Sequence, residues 1–540
     1  MFWADKIAAD AHGIYGKDDH TIIVNDSKTP SGRVHVGSLR GVVIHDAIYR
    51  ALKHAGKPAV FLYGVDDFDA LDTVPRYLEK EKFKPYLGHP LCNVPSPDPD
   101  AAPDYAKYFM GEFLEVFDYL GVRPEIYYLR DKYRSGAMNK YIDLFLNNAH
   151  LVRESYLEVS KAQRPEDWYP FHPICENCGK IATTVTSAYE NGKVFYTCKE
   201  DSMNYVKGCG HSGWVSPFDG NGKLPWKVEW VAKWDLIGVN VELAGKDHSQ
   251  KGGSRDVANS ICRKILQKEP PMHSPYEFIL INGTKMSSSK GVGSSAKDMA
   301  GLLPPELLRF LMLRTPARTV INFMPNYETI TRLFRDYDTL IEKHKTNTAK
   351  DEEELIPLRY AQLDLIKQEE LPRCETFDFS TLISLLQIPH LDVENEIRTR
   401  LDKHLSESDW EALRQRITVA RQWLQNYADE EEKLVLYLDS IPERAKGLSS
   451  EQVSYLTQVS HNLADAAWDG DTLQTLLFNT TKELGVSQKV AFAAIYLIFL
   501  NKERGPKAGS LLSYLEPALV KQRITDAIAL NSALESGATA

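Results

Sequence analysis

Long apolar stretches are missing from this chain of 540 residues. The longest, Val490 to Leu500, is too short for a bilayer, which needs roughly 20 residues in a helix. A helical membrane span is excluded, and no membrane partner is expected. Cysteine is scarce: seven in the whole chain exclude a disulfide-stapled scaffold. An excess of positive charge is lacking too. Lys and Arg total 64 against 74 Asp and Glu, a formal net charge of -10, which rules out a uniformly basic coat for a polyanion but leaves room for a local basic stripe. The 28 Pro and 32 Gly are too few for a fibrous or low-complexity protein. The opening Met1-Phe2-Trp3-Ala4-Asp5-Lys6 has no basic start followed by an apolar stretch, as export demands. A cytoplasmic protein is expected, its cysteines thiols or metal ligands.

What is present is ordinary globular sequence, 43% hydrophobic and 26% charged, and at about 150 residues per domain the length predicts three or four domains. Thr21-Ile22-Ile23-Val24 reads as a buried strand. A Pro/Ser/Gly loop follows, then an amphipathic helix from about Val36 to His54, then a second strand, Ala59 to Tyr63. Strand, loop, helix, strand predicts a parallel βαβ unit, whose first loop lies where open α/β sheets bind ligands. Beyond about residue 150, prolines lead into paired cysteines and short Thr/Val/Tyr strands, an inserted module. Alternation resumes with a strand at Val239–Leu243, a helix from Ser254 to Gln267 and a strand from Glu277 to Ile281. From Pro304 onward the spacing is helical, as in Trp410, Leu413, Ile417, Ala420 and Leu424, and predicts helix bundles.

Two loops carry phosphate chemistry. The first is Thr29-Pro30-Ser31-Gly32-Arg33-Val34-His35-Val36-Gly37-Ser38. A helix N-terminus offers free N–H groups to a phosphate, the glycines admit close approach, and His35 can donate to oxygens as charge grows on them. By itself it also reads as a loop histidine and a helix-capping serine. The second is Lys285-Met286-Ser287-Ser288-Ser289-Lys290-Gly291, whose ammonium and hydroxyl groups suit a polyphosphate, or equally a solvated Ser/Lys turn.

Taken together and in this order, the two loops resemble the H-I-G-H and K-M-S-K-S signatures of the class I aminoacyl-tRNA synthetases. Thr-Pro-Ser-Gly before the histidine, the serine-rich second loop, the cysteine-rich insertion and the helical C-terminal half are similar to the class I lysyl-tRNA synthetase family, of the glutamyl-like subgroup. Two positions depart from the general pattern: Ser38 replaces the second histidine, and Ser288 the second lysine.

The resemblance implies an α/β fold. A Rossmann-type parallel-sheet catalytic domain would be interrupted by a zinc-binding insertion and followed by an all-α region. Its segments would be the first half of the catalytic domain at 1–150, the zinc module at 151–225, the second half with the lysine–serine loop at 226–300, a stem-contacting helical region at 301–350 and an anticodon-binding helical region at 351–540. The implied reaction is ATP-dependent activation of lysine and its transfer to tRNA(Lys), with Mg2+ accompanying ATP. His35, Ser38, Lys285, Ser288 and Lys290 would be catalytic. Thr29, Pro30, Ser31, Gly32, Gly37, Met286, Ser287 and Ser289 would contact ATP. A glutamyl-type synthetase, a nucleotidyltransferase acting without tRNA and a non-catalytic zinc-ribbon RNA-binding protein are the rival readings. Oligomeric state is left open, and a monomer is compatible with the sequence.

Cys175, Cys178, Cys198 and Cys209 form the metal candidate. Cys-x2-Cys places two thiolates on one turn and a later pair can complete a tetrahedral zinc site, with His211 or His172 as substitutes; buried free thiols are the alternative. Four protein ligands leave no open position, so the zinc would be structural. Cys92, Cys262 and Cys374 stand apart. For lysine an anion is needed near the ammonium group. Asp66, Asp67 and Asp69 follow the second strand, Asp247 and His248 a later one, and Trp226, Trp230 and Trp234 offer indole faces. Asp67, Trp230, Asp247 and His248 are the choices, against their reading as caps and core. Among Arg398, Arg400, Arg414, Arg416 and Arg421 the sequence does not pick out any that would contact RNA.

Overall fold

The computed structural model describes residues 1–17, 20–201, 203–281, 295–388, 391–401, 405–464 and 466–537. The chain divides into two compact units, one built from Met1–Pro325 with Asp336–Arg373, the other from Asn326–Arg335 with Cys374–Ala540.

In the first unit a helix, α1 (Trp3–Tyr15), precedes β1 (Ile22–Lys28), α2 (Val36–His54) and β2 (Ala59–Val65). β1 and β2 run parallel from Ile22↔Ala59 to Lys28↔Val65. The return comes through α3 (Tyr105–Tyr119), capped by the Asp104 side chain on the Lys107 N–H, into β3 (Glu125–Tyr128), parallel to β2. On the other side of β1 the chain adds Val241, bridged to Val24 and in turn to Met272. The order is therefore β3, β2, β1, Val241, Met272, and the strands leave β1 in both directions. A crevice opens at that reversal, beyond the carboxyl end of β1, where doubly wound sheets bind ligands.

The Val239–Leu243 strand of the sequence reading is reduced to this bridging segment. The Val241 N–H donates to the Ile23 carbonyl and its own carbonyl accepts from Asn25. The Asn240 side chain takes the place of a main-chain acceptor for the Ile23 N–H, at 2.8 Å. Likewise the expected helix to Gln267 is α-helical only over Ser254–Ile261, continuing as a wider π turn at Cys262–Leu266. A short strand past Pro304 also escaped notice: Ile321–Phe323 pairs in parallel with Ile279–Ile281.

The inserted module holds an antiparallel sheet of β4 (Thr184–Glu190), β5 (Lys193–Cys198) and β6 (Ser212–Val215). The β4–β5 turn is Asn191-Gly192, both at positive φ (49° and 73°), the two-residue hairpin that matches strand twist. Its entry and exit are zipped together by His172–Pro173 against Gly222–Lys223. α4 (Trp226–Ile237) follows directly.

The second unit is helical in every element assigned to its described residues. α5 (Glu407–Asn426) begins with a capping box of Ser406 and Asp409 and buries Trp410, Leu413, Ile417 and Ala420. The apolar run that was too short for a membrane forms α6 (Gln488–Leu500). It is buried along most of its length beside Tyr455, Leu477 and Ile524, as a helix without a polar face must be. No helix among the described residues is long and apolar enough to cross a membrane.

One buried cation fastens the strand pair of 279–281 and 321–323 to α2. Arg40 is fully buried, and its guanidinium donates to the carbonyls of Glu277 (2.7 Å), Phe278 (2.9 Å) and Thr319 (2.8 Å). Burial lowers its pKa to about 10, which leaves it charged at neutral pH. We expect Arg40→Leu to orphan the Glu277 and Thr319 carbonyls, the Phe278 carbonyl keeping the Ile321 N–H, and to destabilise the first unit by about 3 kcal/mol, seen as a lower midpoint in urea denaturation.

Candidate active site

A cavity of about 440 Å³ occupies the crevice at the sheet reversal. Four segments build it: the end of β1 with the turn after it, the Asp66–Asp69 turn after β2, α4 with residues 242–248, and residues 276–279. On α4, Trp226, Glu229, Trp230 and Lys233 share one face by their spacing, and all four line the cavity.

The first signature turn lies at the cavity wall. Thr29, His35, Gly37 and Ser38 line it. His35 caps α2 in an extended conformation (ψ 156°), and the Ser38 N–H donates to its carbonyl at 3.0 Å. A Cβ on Gly37 would meet the His35 Nδ1 at 2.8 Å, so only glycine lets that ring lie over the helix start. Pro30, Ser31 and Gly32 shape the turn without lining the cavity; the Ser31 carbonyl accepts from the Tyr105 hydroxyl at 3.0 Å. Lys285, Met286, Ser287, Ser288, Ser289 and Lys290 lie outside the described residues. Both neighbours of that segment reach the histidine turn. Phe278 and Ile279 line the same cavity on one side. On the other, Ser295 bridges His35 and the Ala296 N–H donates to the Val34 carbonyl at 2.8 Å.

The acidic turn after β2 is held by three cations from three parts of the chain. Asp66 pairs with Lys233 of α4 at 2.7 Å and accepts from the Ser27 hydroxyl at 3.1 Å. Asp67 is fully buried and takes the Arg130 N–H at 2.9 Å together with that residue's guanidinium, which also grips Asp104. Asp67 is therefore absent from the lining, and its carboxylate is engaged by an internal arginine, contrary to its choice as an ammonium ligand. Asp69 pairs with Lys223, from the last strand of the inserted module, and accepts from Thr29 Oγ1 at 2.5 Å. Burial opposes the Lys223 and Lys233 charges, but Asp69 and Asp66 outweigh it and raise both pKa values. Glu229, 3.1 Å from Lys223, accepts from the Tyr133 hydroxyl at 2.7 Å, and burial pushes its carboxyl up to about 7.

Trp230, Asp247 and His248 all line the cavity. The His248 ring lies 5.6 Å from that of Trp226 and 6.2 Å from that of Trp230. Behind them Glu242 accepts from the indole N–H of Trp230 at 2.8 Å and from that of Trp234. The sequence reading missed Asp26, Lys28, Glu229, Lys233, Glu242 and Tyr276, all cavity residues. The strand period of two from Lys28 back to Asp26, and the helical spacing from Trp226 to Lys233, are the signals that could have found four of them.

In the module the sulfurs of Cys175, Cys178, Cys198 and Cys209 all lie within 4.8 Å of one another. The Cys175–Cys209 and Cys178–Cys198 separations are 3.6 and 3.7 Å. Tetrahedral zinc with four sulfurs at 2.3 Å needs about 3.8 Å between sulfurs, so the donor set fits that metal. The Cys209 N–H and the Thr183 hydroxyl approach Cys198 Sγ at 3.4 and 3.2 Å, the kind of outer contact that steadies a ligating thiolate. His172 instead faces the Thr184 carbonyl at 2.9 Å, and His211 lies 4.0 Å from Glu176.

A parallel sheet whose crevice carries a histidine turn at its reversal point defines a Rossmann-type nucleotide-binding domain. The family profile described as tRNA synthetases class I (K) matches residues 1–362. The lysine–tRNA ligase of Thermoplasma volcanium is 32% identical over 533 residues, spanning 98% of this chain and all of that protein. That of Archaeoglobus fulgidus is 33% identical over 536 residues, with 98% and 100% covered. A solved glutamate tRNA ligase from Elizabethkingia meningosepticum aligns over 94% of this chain and 99% of its own, with 12% identity and a TM-score of 0.42. The chain belongs to the class I tRNA synthetases of the lysine type.

The Lys223 bridge gives a direct test of the acidic turn. Lys223→Met leaves the buried Glu229 and the half-buried Asp69 without their cation and should cost about 3 kcal/mol. Adding Asp69→Asn should return at least about 1 kcal/mol relative to the sum of the single changes, measured as a double-mutant cycle in chemical denaturation.

Proposed function

We infer that this chain is a lysine–tRNA ligase, which activates lysine with ATP to lysyl-adenylate and transfers it to the 3' end of tRNA(Lys). The observation that carries the reading is the full-length likeness to lysine–tRNA ligases.

Activation is an in-line displacement. The lysine carboxylate attacks the α-phosphorus of ATP, the bond to the pyrophosphate breaks, and the terminal ribose hydroxyl of tRNA then attacks the activated carbonyl, losing its proton as the acyl–phosphate bond breaks and AMP departs. Such chemistry asks for position and charge stabilisation rather than a covalent nucleophile. His35 and the N–H groups at the start of α2 would receive phosphate oxygens, with Ser38 as a further donor and Thr29, whose hydroxyl is held by Asp69, shaping the wall beside them. Lys285 and Lys290 would offset the charge of the leaving pyrophosphate, Ser288 donating a hydrogen bond beside them. Mg2+ arrives with ATP and shares that charge. Trp230, Asp247 and His248 would enclose the amino acid. Residues 301–350 would contact the tRNA stem and 351–540 its anticodon end.

The four thiolates would hold one zinc ion, whose part is to fold a module with little apolar core of its own; four protein ligands leave no position for a reacting water.

Charging of tRNA measured with each amino acid tests the reaction: lysine with ATP and Mg2+ should give aminoacyl-tRNA, and charging with glutamate instead would overturn the reading. Metal analysis of the purified protein should return one zinc per chain. Cys198→Ser should lose it and lower the module's thermal stability, while Cys374→Ser should keep it.

A further inference from the structure

The acids around the cavity are unequally provided for. Asp66, Asp69 and Glu229 each meet a buried lysine. Glu242 accepts from Asn25, Trp230 and Trp234 and lies 3.8 Å from Arg255. Asp247 is exposed at the rim. Asp26 differs from all of them. Its side chain is 14% exposed and lines the cavity, yet it makes no ion pair within 4.0 Å with a lysine or arginine among the described residues. Among the described residues its Oδ1 accepts only the Ser27 N–H, at 2.9 Å.

The ring nearest to Asp26 cannot serve as its counter-charge. His45 Nδ1 lies 3.6 Å from Asp26 Oδ2, but His45 Nε2 accepts the Leu243 N–H at 2.9 Å and Nδ1 faces the Gly41 carbonyl at 2.7 Å. With one nitrogen accepting and the other donating, the imidazole is neutral, and burial lowers its pKa to about 4. Burial in turn pushes the Asp26 carboxyl up to about 7, as expected of an anion awaiting a cation.

Position matches the shape of the substrate. Asp26 and Lys28 share a face of β1, so Asp26 lies one strand repeat, about 6.7 Å, deeper than Lys28 and the Thr29 turn, where the carboxylate and phosphate would react. An extended side chain of four methylenes spans that interval. Tyr63, register partner of Asp26, and Tyr276 line the cavity beside it, aromatic neighbours of the kind found around bound cations. Gly41 keeps the place open: a Cβ there would stand 2.6 Å from the Tyr276 hydroxyl and 3.3 Å from Asp26 Oδ2.

We propose that Asp26 receives the side-chain ammonium of the amino-acid substrate and thereby selects lysine. The assignment rests on the reaction inferred above. The test is steady-state tRNA charging by the full chain, with norleucine, which has the same length but no side-chain ammonium, as a competing ligand. Asp26→Asn should raise KM for lysine about 10- to 100-fold, the weight of one charge-assisted hydrogen bond. It should leave kcat within a few-fold and the inhibition constant of norleucine unchanged. Asp26→Glu, which keeps the charge, should recover most of the lysine affinity, and it carries the test if the asparagine variant does not fold. An unchanged KM in Asp26→Asn overturns the assignment alone. Parallel loss of lysine and norleucine also overturns it, placing Asp26 at the α-ammonium or in the scaffold. Failure of the unaltered protein to charge tRNA with lysine overturns the reaction and this assignment together.

Discussion

Three carboxylates within four residues, Asp66, Asp67 and Asp69, share one turn at the edge of the cavity, and a turn so charged closes only when each anion has its own cation. Lys233, Arg130 and Lys223 meet that condition from α4, from the chain after β3 and from the end of the inserted module. The neutralisation has a geometric result. Thr29 of the histidine turn and Ser27 of β1 are both tied to the same acidic turn, so two walls of the cavity are held by one network. Because these pairs are largely shielded from water, their side chains at most 25% exposed, removing a single partner costs more than the pair's net contribution to stability suggests.

A second recurring device is the buried guanidinium that collects carbonyls. Arg40 does so between α2 and the strand pair of 279–281 and 321–323. Arg50 gathers the carbonyls of Gly121, Gln362 and Leu363. In the other unit Arg523 gathers those of Tyr437, Leu438 and Ile498. Irregular segments leave acceptors that no ladder satisfies, and a planar fork with five donors satisfies several at once. The long non-regular connections of this chain are affordable in the interior for that reason.

Much of the scaffold was legible in the sequence. Periodicity placed the helix at Val36–His54, and both first strands were found, though each runs a few residues further than its apolar core, because Asn25, Asp26 and Ser27 look like loop residues until a cavity explains them. The four clustered cysteines were legible from spacing alone. Pairing was not. Lys223 and Asp69 are separated by 154 positions, and no local period marks that two such residues will meet. Asp67 therefore read as a ligand for substrate when its carboxylate belongs to Arg130. Val241 and Ile321–Phe323 were misjudged for a different reason: a strand bonded over one to three residues has too few positions for alternation to register.

Lys223 belongs by sequence to the cysteine-rich insertion and by its bonds to two acids that line the cavity. Such a residue blurs the seam between a host domain and its insert. Anyone building chimaeras from relatives would find that the module is not an interchangeable cassette, since its last strand carries a charge for which the recipient's acidic turn must already be shaped.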